Sequence, residues 1–370
     1  MRKPVYLDYN ATAPVRPVAA EAVARALQVT GNASSVHAFG RAARRLIEDA
    51  RAAVAGLVGG PAGSVVFTSG GTEANNLALR GFANRRVVVS AGEHDSVLQA
   101  APGAARLPLR ADGQVDLEAL EGLLSGRTGP VLVSVMAANN ETGVVQPVAE
   151  AARLVHRAGG IFHCDAVQAA GKIPFSMHDN GIDLLSLSAH KIGGPQGVGA
   201  LVVGPGPGLE PQALLLGGGQ ERARRAGTEN LPGISGFSAA ADLACRELDR
   251  YAELARLRGE IERRLLAEIP TLRVYGADAP RLPNTACFGL AGLRAETQVM
   301  ALDLDGVAVS AGSACSSGKV TPSHVLRAMG ASEEEAGSAI RVSLGWDSRA
   351  DDIERFLDAW LAFYRRNLAA

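Results

Sequence analysis

The sequence predicts an α/β fold: a large domain with a mostly parallel sheet flanked by helices, followed by a smaller α+β domain. Three observations carry this expectation. Short apolar runs alternate with helix-period stretches through the first two-thirds of the chain, the pattern of strands buried on both faces and joined by helices. Near Gly236 the pattern changes to long stretches rich in Ala, Leu, Glu and Arg. At 370 residues the chain is also longer than one ordinary core organises. The division expected is an N-terminal arm over 1–20 that packs with the small domain, a large domain over 21–236 and a small C-terminal domain over 237–370.

In chain order, Val65–Phe67, Val87–Val89, Val131–Met136, Ile161–Cys164, Leu184–Leu187 and Ala200–Val203 read as buried strands. Arg41–Val58 carries Leu46, Ile47, Ala50, Val54 and Leu57 at helical spacing, and Val148–Ala158 is a second helix. In the smaller part, Ala239–Ile269 reads as a long helical stretch divided at Gly259. A strand over Thr285–Phe288, a helix over Glu296–Leu304, a Gly/Ser-rich loop over Ser310–Gly318, a strand over Ile340–Leu344 and a helix from Asp351 to about Arg366 follow.

Composition excludes several classes. Apolar residues make up 47% of the chain and the net charge is −1, which argues against disorder and gives no electrostatic basis for nucleic-acid or membrane-surface binding. No apolar run is long enough to span a bilayer, and the first residues lack a signal-peptide core. The four cysteines form no disulfide framework, so a cytoplasmic location is expected. Only four of the 37 basic residues are lysine: Lys3, Lys172, Lys191 and Lys319. Arginine cannot serve as an imine-forming nucleophile near neutral pH, so imine chemistry has a short list of candidates.

Lys191 is the best placed, in Ser188-Ala189-His190-Lys191 between a buried strand and a Gly/Pro turn, at the edge of the sheet where open α/β folds take ligands. Lys3 is terminal, Lys172 precedes a Pro-containing turn and Lys319 lies in the Gly/Ser-rich stretch. Phe67-Thr68-Ser69-Gly70-Gly71-Thr72 has the layout of strand, glycines and helix start, which suits an anion. By itself it reads better as a plain helix cap at a tight turn, and it matches neither nucleotide-binding glycine motif. Asp165 ends an apolar strand in His163-Cys164-Asp165, and a buried carboxylate needs a donor or cationic partner. The protonated ring nitrogen of pyridoxal phosphate is one such partner; a helix-capping role is the other reading.

A phosphate cup, a carboxylate and a lysine, each at a strand end, together resemble the fold-type I pyridoxal-phosphate enzymes. The chain is most similar to the class V aminotransferase group and its cysteine desulfurase branch. The resemblance runs through Tyr6–Pro14, Gly31-Asn32, Gly70–Asn76, Glu93-His94, Asn139–Gly143, the Lys191 motif, Arg225–Asn230, Ser313-Ala314-Cys315 and Ile340–Gly345. It implies pyridoxal 5'-phosphate held covalently by Lys191, which then acts as base. Asp165 would hold the pyridinium, Asn140 and Gln168 the 3' oxygen, and Gly71, Thr72, Ser188 and His190 the phosphate. His94 would stack on the ring and shuttle protons. Thr228 would reach the phosphate of a neighbouring subunit in a homodimer. Arg341, with Asn10 and Asn140, would hold the substrate carboxylate. No intrinsic metal is implied, although Cys315 could transiently ligate an iron–sulfur cluster.

Cys315 separates desulfurase from aminotransferase. Small residues surround it, a poor setting for a buried structural thiol and a good one for a reactive thiol on a mobile loop. Cys164, Cys245 and Cys287 read instead as core packing. The implied reaction converts L-cysteine to L-alanine, with sulfur held as a Cys315 persulfide for an iron–sulfur scaffold or a tRNA-thiolation protein. A selenocysteine lyase, a class V aminotransferase and a non-catalytic sulfur-assembly partner are the alternatives. The spacing from Cys315 to Pro322 resembles the long-loop, housekeeping and nitrogen-fixation branch. Ala33, Gln220 and Ala226 depart from the family's usual residues without removing a group the chemistry needs.

Overall fold

The structure is a computed structural model that describes residues 4–82, 84–126, 129–312 and 321–368. Its largest sheet has seven strands, in the spatial order Val65–Thr68, Gly199–Val203, Leu184–Ser188, Ile161–Asp165, Val131–Ser134, Arg86–Ser90 and Ala105–Leu107. The last five strands of that order run parallel to one another. Gly199–Val203 runs antiparallel to both strands beside it. The three central strands are buried along their whole length, which is why they read as unbroken apolar runs instead of alternating ones. Ala105–Leu107 escapes sequence reading because it is a short edge strand with one buried residue.

Helices cover both faces. Leu231–Arg246 packs against both Pro17–Ala26 and Ala38–Leu57 over one face, and Gly71–Arg80 lies against the central strands. Leu231–Arg246, which spans the boundary expected at 236, buries Ile234, Phe237, Ala240, Ala241 and Ala244 in the core of the large sheet. Cys245 follows that apolar stripe by one residue, about 100° around the helix, and is exposed. The expectation that it packs in a core is therefore corrected; Cys164 and Cys287 are buried.

The helical stretch after it breaks at Glu247 and Glu253, not at Gly259, giving Leu248–Ala252 and Leu254–Glu268. Glu247 leaves helical geometry and takes Arg16 at 2.5 Å. Gly259 sits inside a continuous helix, with nothing near its missing Cβ.

The second sheet is antiparallel, in the order Ser310–Ala311, Ala339–Ser343, Thr285–Gly289 and Arg273–Val274. Ser310 and Ala311, expected as the start of a loop, instead pair with Arg341 and Ile340. Cys315 and the rest of the expected loop through Gly318 lie outside the described residues. The N-terminal segment joins the two cores. Val5–Tyr6 pairs with Val307–Ala308, Asp8 bridges Ser343, and Val5 and Leu7 pack with Phe288, Phe356 and Trp360. A few residues later Ala13 donates its N–H to the His190 carbonyl at 2.8 Å. Asn10 is thereby fixed between the small sheet and the lysine turn. Among the described residues no helix is long and apolar enough to cross a membrane.

Candidate active site

At the carboxyl ends of the parallel strands lies a cavity of about 300 Å³. Its wall brings together Lys191, Asp165, Asn10, Asn140 and Gln168 with Gly71, Thr72, His94, Ser188, His190 and Arg341. Sequence reading proposed all of these. Thr228 does not line the cavity and is exposed; Cys315 is outside the described residues.

Lys191 ends the single 3-10 turn that follows strand Leu184–Ser188. Its Nζ donates to the carbonyls of Asn10 (2.7 Å) and Ala11 (2.8 Å). The turn continues through Gly193, whose φ of 83° and contact with the Arg16 side chain leave no room for a Cβ.

Asp165 is 6% exposed, at the end of its strand. Its Oδ2 accepts from Asn75 Nδ2 (2.7 Å) and its Oδ1 from the Val167 N–H (3.0 Å). Asn75 also donates to Ser96 Oγ (2.8 Å). Ser96 in turn meets His94 Nδ1 through its hydroxyl (2.8 Å) and its backbone N–H (3.1 Å). With Nδ1 accepting, the neutral ring carries its proton on Nε2. Burial lowers the His94 pKa; the Asp165 charge opposes this and Lys191 adds to it. The imidazole is thus held neutral and available to exchange a proton. Sequence reading missed Asn75 and Ser96, which tie the carboxylate to the histidine. Their spacing in the chain carries no signal of that link.

Glu93, beside His94 in the chain, is fully buried. Its Oε1 accepts from the Met136 N–H at 2.6 Å, and its Oε2 has no partner among the described residues. Burial first, and Asp165 second, push its carboxyl well above the usual range.

Helix Gly71–Arg80 starts at the cavity wall. A Cβ on Gly71 would meet Val167 at 3.0 Å and Ser188 at 3.5 Å, so glycine keeps open the space before the first backbone N–H groups. His190 Nδ1 lies 3.1 Å from Thr12 Oγ1, and burial lowers its pKa to about 4. On the opposite wall, Arg341 is held from the small sheet. Nη1 donates to the Asn140 carbonyl (3.1 Å) and Nη2 to Asp8 (2.7 Å), while Nε has no partner among the described residues.

The model of the family described as "Aminotransferase class-V" matches residues 5–356. The chain belongs to the aminotransferase class-V family. A class-V relative described as "Cysteine desulfurase", from Cereibacter sphaeroides, is 45% identical over 96% of this chain and 94% of its own length. The X-ray structure of a NifS-like protein from Rickettsia africae superposes with a TM-score of 0.91 at 36% identity, covering 98% of this chain and 99% of the other. A structure titled "SspA in complex with cysteine" superposes at 0.78 with 29% identity, covering 92% and 98%. The large sheet and flanking helices of this class-V chain are those of the NifS-like structures.

The site has the donor set that pyridoxal phosphate needs. A glycine-opened helix start suits the phosphate. A buried carboxylate held by neutral donors suits a protonated ring nitrogen, and a lysine lies in the same cavity.

Proposed function

We propose that this chain holds pyridoxal 5'-phosphate at Lys191 and takes sulfur from L-cysteine, leaving L-alanine and a persulfide on Cys315. Its activity is that of its class-V relatives, a cysteine desulfurase. The observation that carries the cofactor reading is the shared cavity of Lys191, Asp165 and the Gly71 helix start.

The bound cofactor supplies an electron sink for the substrate Cα. Everything else falls to the chain. Asp165 holds the ring nitrogen, with Asn75 fixing the carboxylate. Gly71, Thr72, Ser188 and His190 hold the phosphate, and Asn140 and Gln168 the ring oxygen. Arg341 orients the substrate carboxylate; the two N–H groups of the Asn10 amide are already taken by Thr285 Oγ1 and the Asn140 carbonyl, so Asn10 braces that wall of the site. The Lys191 amine takes the Cα proton, and neutral His94 moves protons at the ring face. The Cys315 thiolate attacks the substrate sulfur. An S–S bond forms as the C–S bond breaks, and its electron pair stays on the carbon skeleton, which is protonated to alanine. The terminal sulfur then passes to an acceptor protein, an iron–sulfur scaffold or a tRNA-thiolation protein, in the cytoplasm.

A second copy of the chain completes the site through Thr228. Support comes from the exposed apolar side chains Val36 (88%) and Leu216 (86%). They lie two and three positions along the chain from Ser34 and Gly219, which line one cleft.

Borohydride treatment of the yellow protein should fix the cofactor on Lys191 by mass spectrometry, and incubation with L-cysteine and a reductant should yield alanine and sulfide. Cys315→Ala should keep the visible band and release no sulfide. A reduced adduct on another lysine would sink the cofactor assignment. Sulfide release by Cys315→Ala at the wild-type rate would sink the persulfide route.

A further inference from the structure

The reading above leaves Lys172 without a role, although it is only 2% exposed. Its Nζ donates to Gln168 Oε1 at 2.6 Å and to Asn10 Oδ1 at 2.9 Å. Both partners line the cavity, whereas Lys172 does not. Both are buried. Asn10 Oδ1 also accepts from Asn284 Nδ2 at 3.1 Å, so it is Gln168 Oε1 that depends on the lysine among the described residues. Burial, together with the charges of Lys191 and Arg341, pushes the ammonium well below the usual lysine range. Ammonium and neutral amine each carry at least two N–H groups, so both bonds persist in either state.

The two amides are locked in a complementary sense. Gln168 Nε2 donates to the Asn10 carbonyl at 3.0 Å, the same oxygen that receives Lys191. Asn10 Nδ2 donates to Thr285 Oγ1 (2.9 Å) and the Asn140 carbonyl (3.1 Å). Turning the Gln168 amide by half a rotation would set its oxygen against the Asn10 carbonyl, acceptor against acceptor. One N–H of Gln168 Nε2 is used by Asn10, which leaves the other for a ligand. Without Lys172, Gln168 Oε1 would be a buried acceptor with no donor, and the amide would shift to find one, taking Nε2 with it.

We infer that Lys172 is a positioning residue: by holding the amide oxygens of Gln168 and Asn10 it presents Gln168 to the bound ring as a hydrogen-bond donor. This rests on the cofactor reading above. A donor at the ring oxygen favours the form with more negative charge there, the one in which the Lys191 nitrogen has lost its proton. Losing the donor therefore raises the pH midpoint at which the visible band titrates.

The test is a spectroscopic pH titration of chains reconstituted with pyridoxal phosphate, without substrate. Wild type comes first; if it takes up no cofactor on Lys191, the cofactor reading itself falls, separately from this inference. Lys172→Met should raise the midpoint by about one pH unit, a tenfold change in the proton equilibrium. Lys172→Gln, which keeps a donor of shorter reach, should move it the same way by less. In a Gln168→Met background, Lys172→Met should add no further shift. A folded, reconstituted Lys172→Met chain with the wild-type midpoint would overturn the inference. So would a full shift that persists without Gln168. Failure of both lysine variants to fold would also overturn it, in favour of a purely structural lysine.

Discussion

Arg341→Lys separates the proposed carboxylate clamp from the cofactor site. The guanidinium has five N–H groups. One goes to the Asn140 carbonyl and one to Asp8, leaving three that include the unpartnered Nε–H. Two of those three match the fork of a carboxylate. A lysine ammonium has three N–H groups; if it keeps both protein contacts, one remains for substrate. The change thus removes one charge-assisted hydrogen bond, worth about 1.5–3 kcal/mol, or roughly 10- to 150-fold in affinity. That loss should appear in KM for L-cysteine. The cofactor should be held as before, because Arg341 enters from the small sheet while Asp165 and Gly71 belong to the large one. Steady-state sulfide release gives KM and kcat, and the visible band gives cofactor affinity. A KM within twofold of wild type, or an equal loss of cofactor affinity, would refute the assignment.

Two further outcomes concern stability. His163 is fully buried between Ser134 and Ser186, and burial lowers its pKa to about 3. The unfolded chain takes up the proton near pH 6.5 while the folded one does not. Stability from this group is therefore complete above pH 6.5 and falls by up to about 1.4 kcal/mol per pH unit between pH 6.5 and 3. Urea melts of His163→Gln should show a slope shallower by one proton over that window, and an unchanged slope would contradict the buried neutral ring. Glu221 accepts from Arg51 at 2.7 and 3.0 Å and from the Phe67 N–H at 2.9 Å. Glu221→Ala takes the bidentate carboxylate from the buried Arg51, which keeps the Val65 carbonyl and Glu48 at 3.4 Å, and should destabilise the chain by about 3 kcal/mol, the low end for breaking a buried pair. Adding Arg51→Met should recover most of this, and a loss under 1 kcal/mol for the single variant would show that the pair is dispensable.

The central strands were legible because each is buried on both faces, so its composition states its environment without any knowledge of neighbours. The edge strand Ala105–Leu107 has one buried residue and carried no such signal. Lys191, Asp165 and Gly71 could be singled out because each ends or follows a strand, and parallel strands deliver their carboxyl ends to one edge of a sheet. Sequence composition also limited imine chemistry to four lysines.

What Lys172 does could not be read this way. Its turn looks like a surface turn, and only packing against Asn10, 162 positions earlier, buries it. The Asp8–Arg341 pair spans 333 positions, and the Asn75–Ser96–His94 link joins different elements. Cys245 misled because a helical stretch fixes the spacing of its faces but not which face meets the core. Periodicity and strand ends are properties of a few neighbouring residues, so the sequence by itself determined the sheet and the chemistry carried to its edge. Burial and hydrogen-bond partners depend on which distant segments meet, so only the tertiary structure decided which side chains hold that chemistry in place.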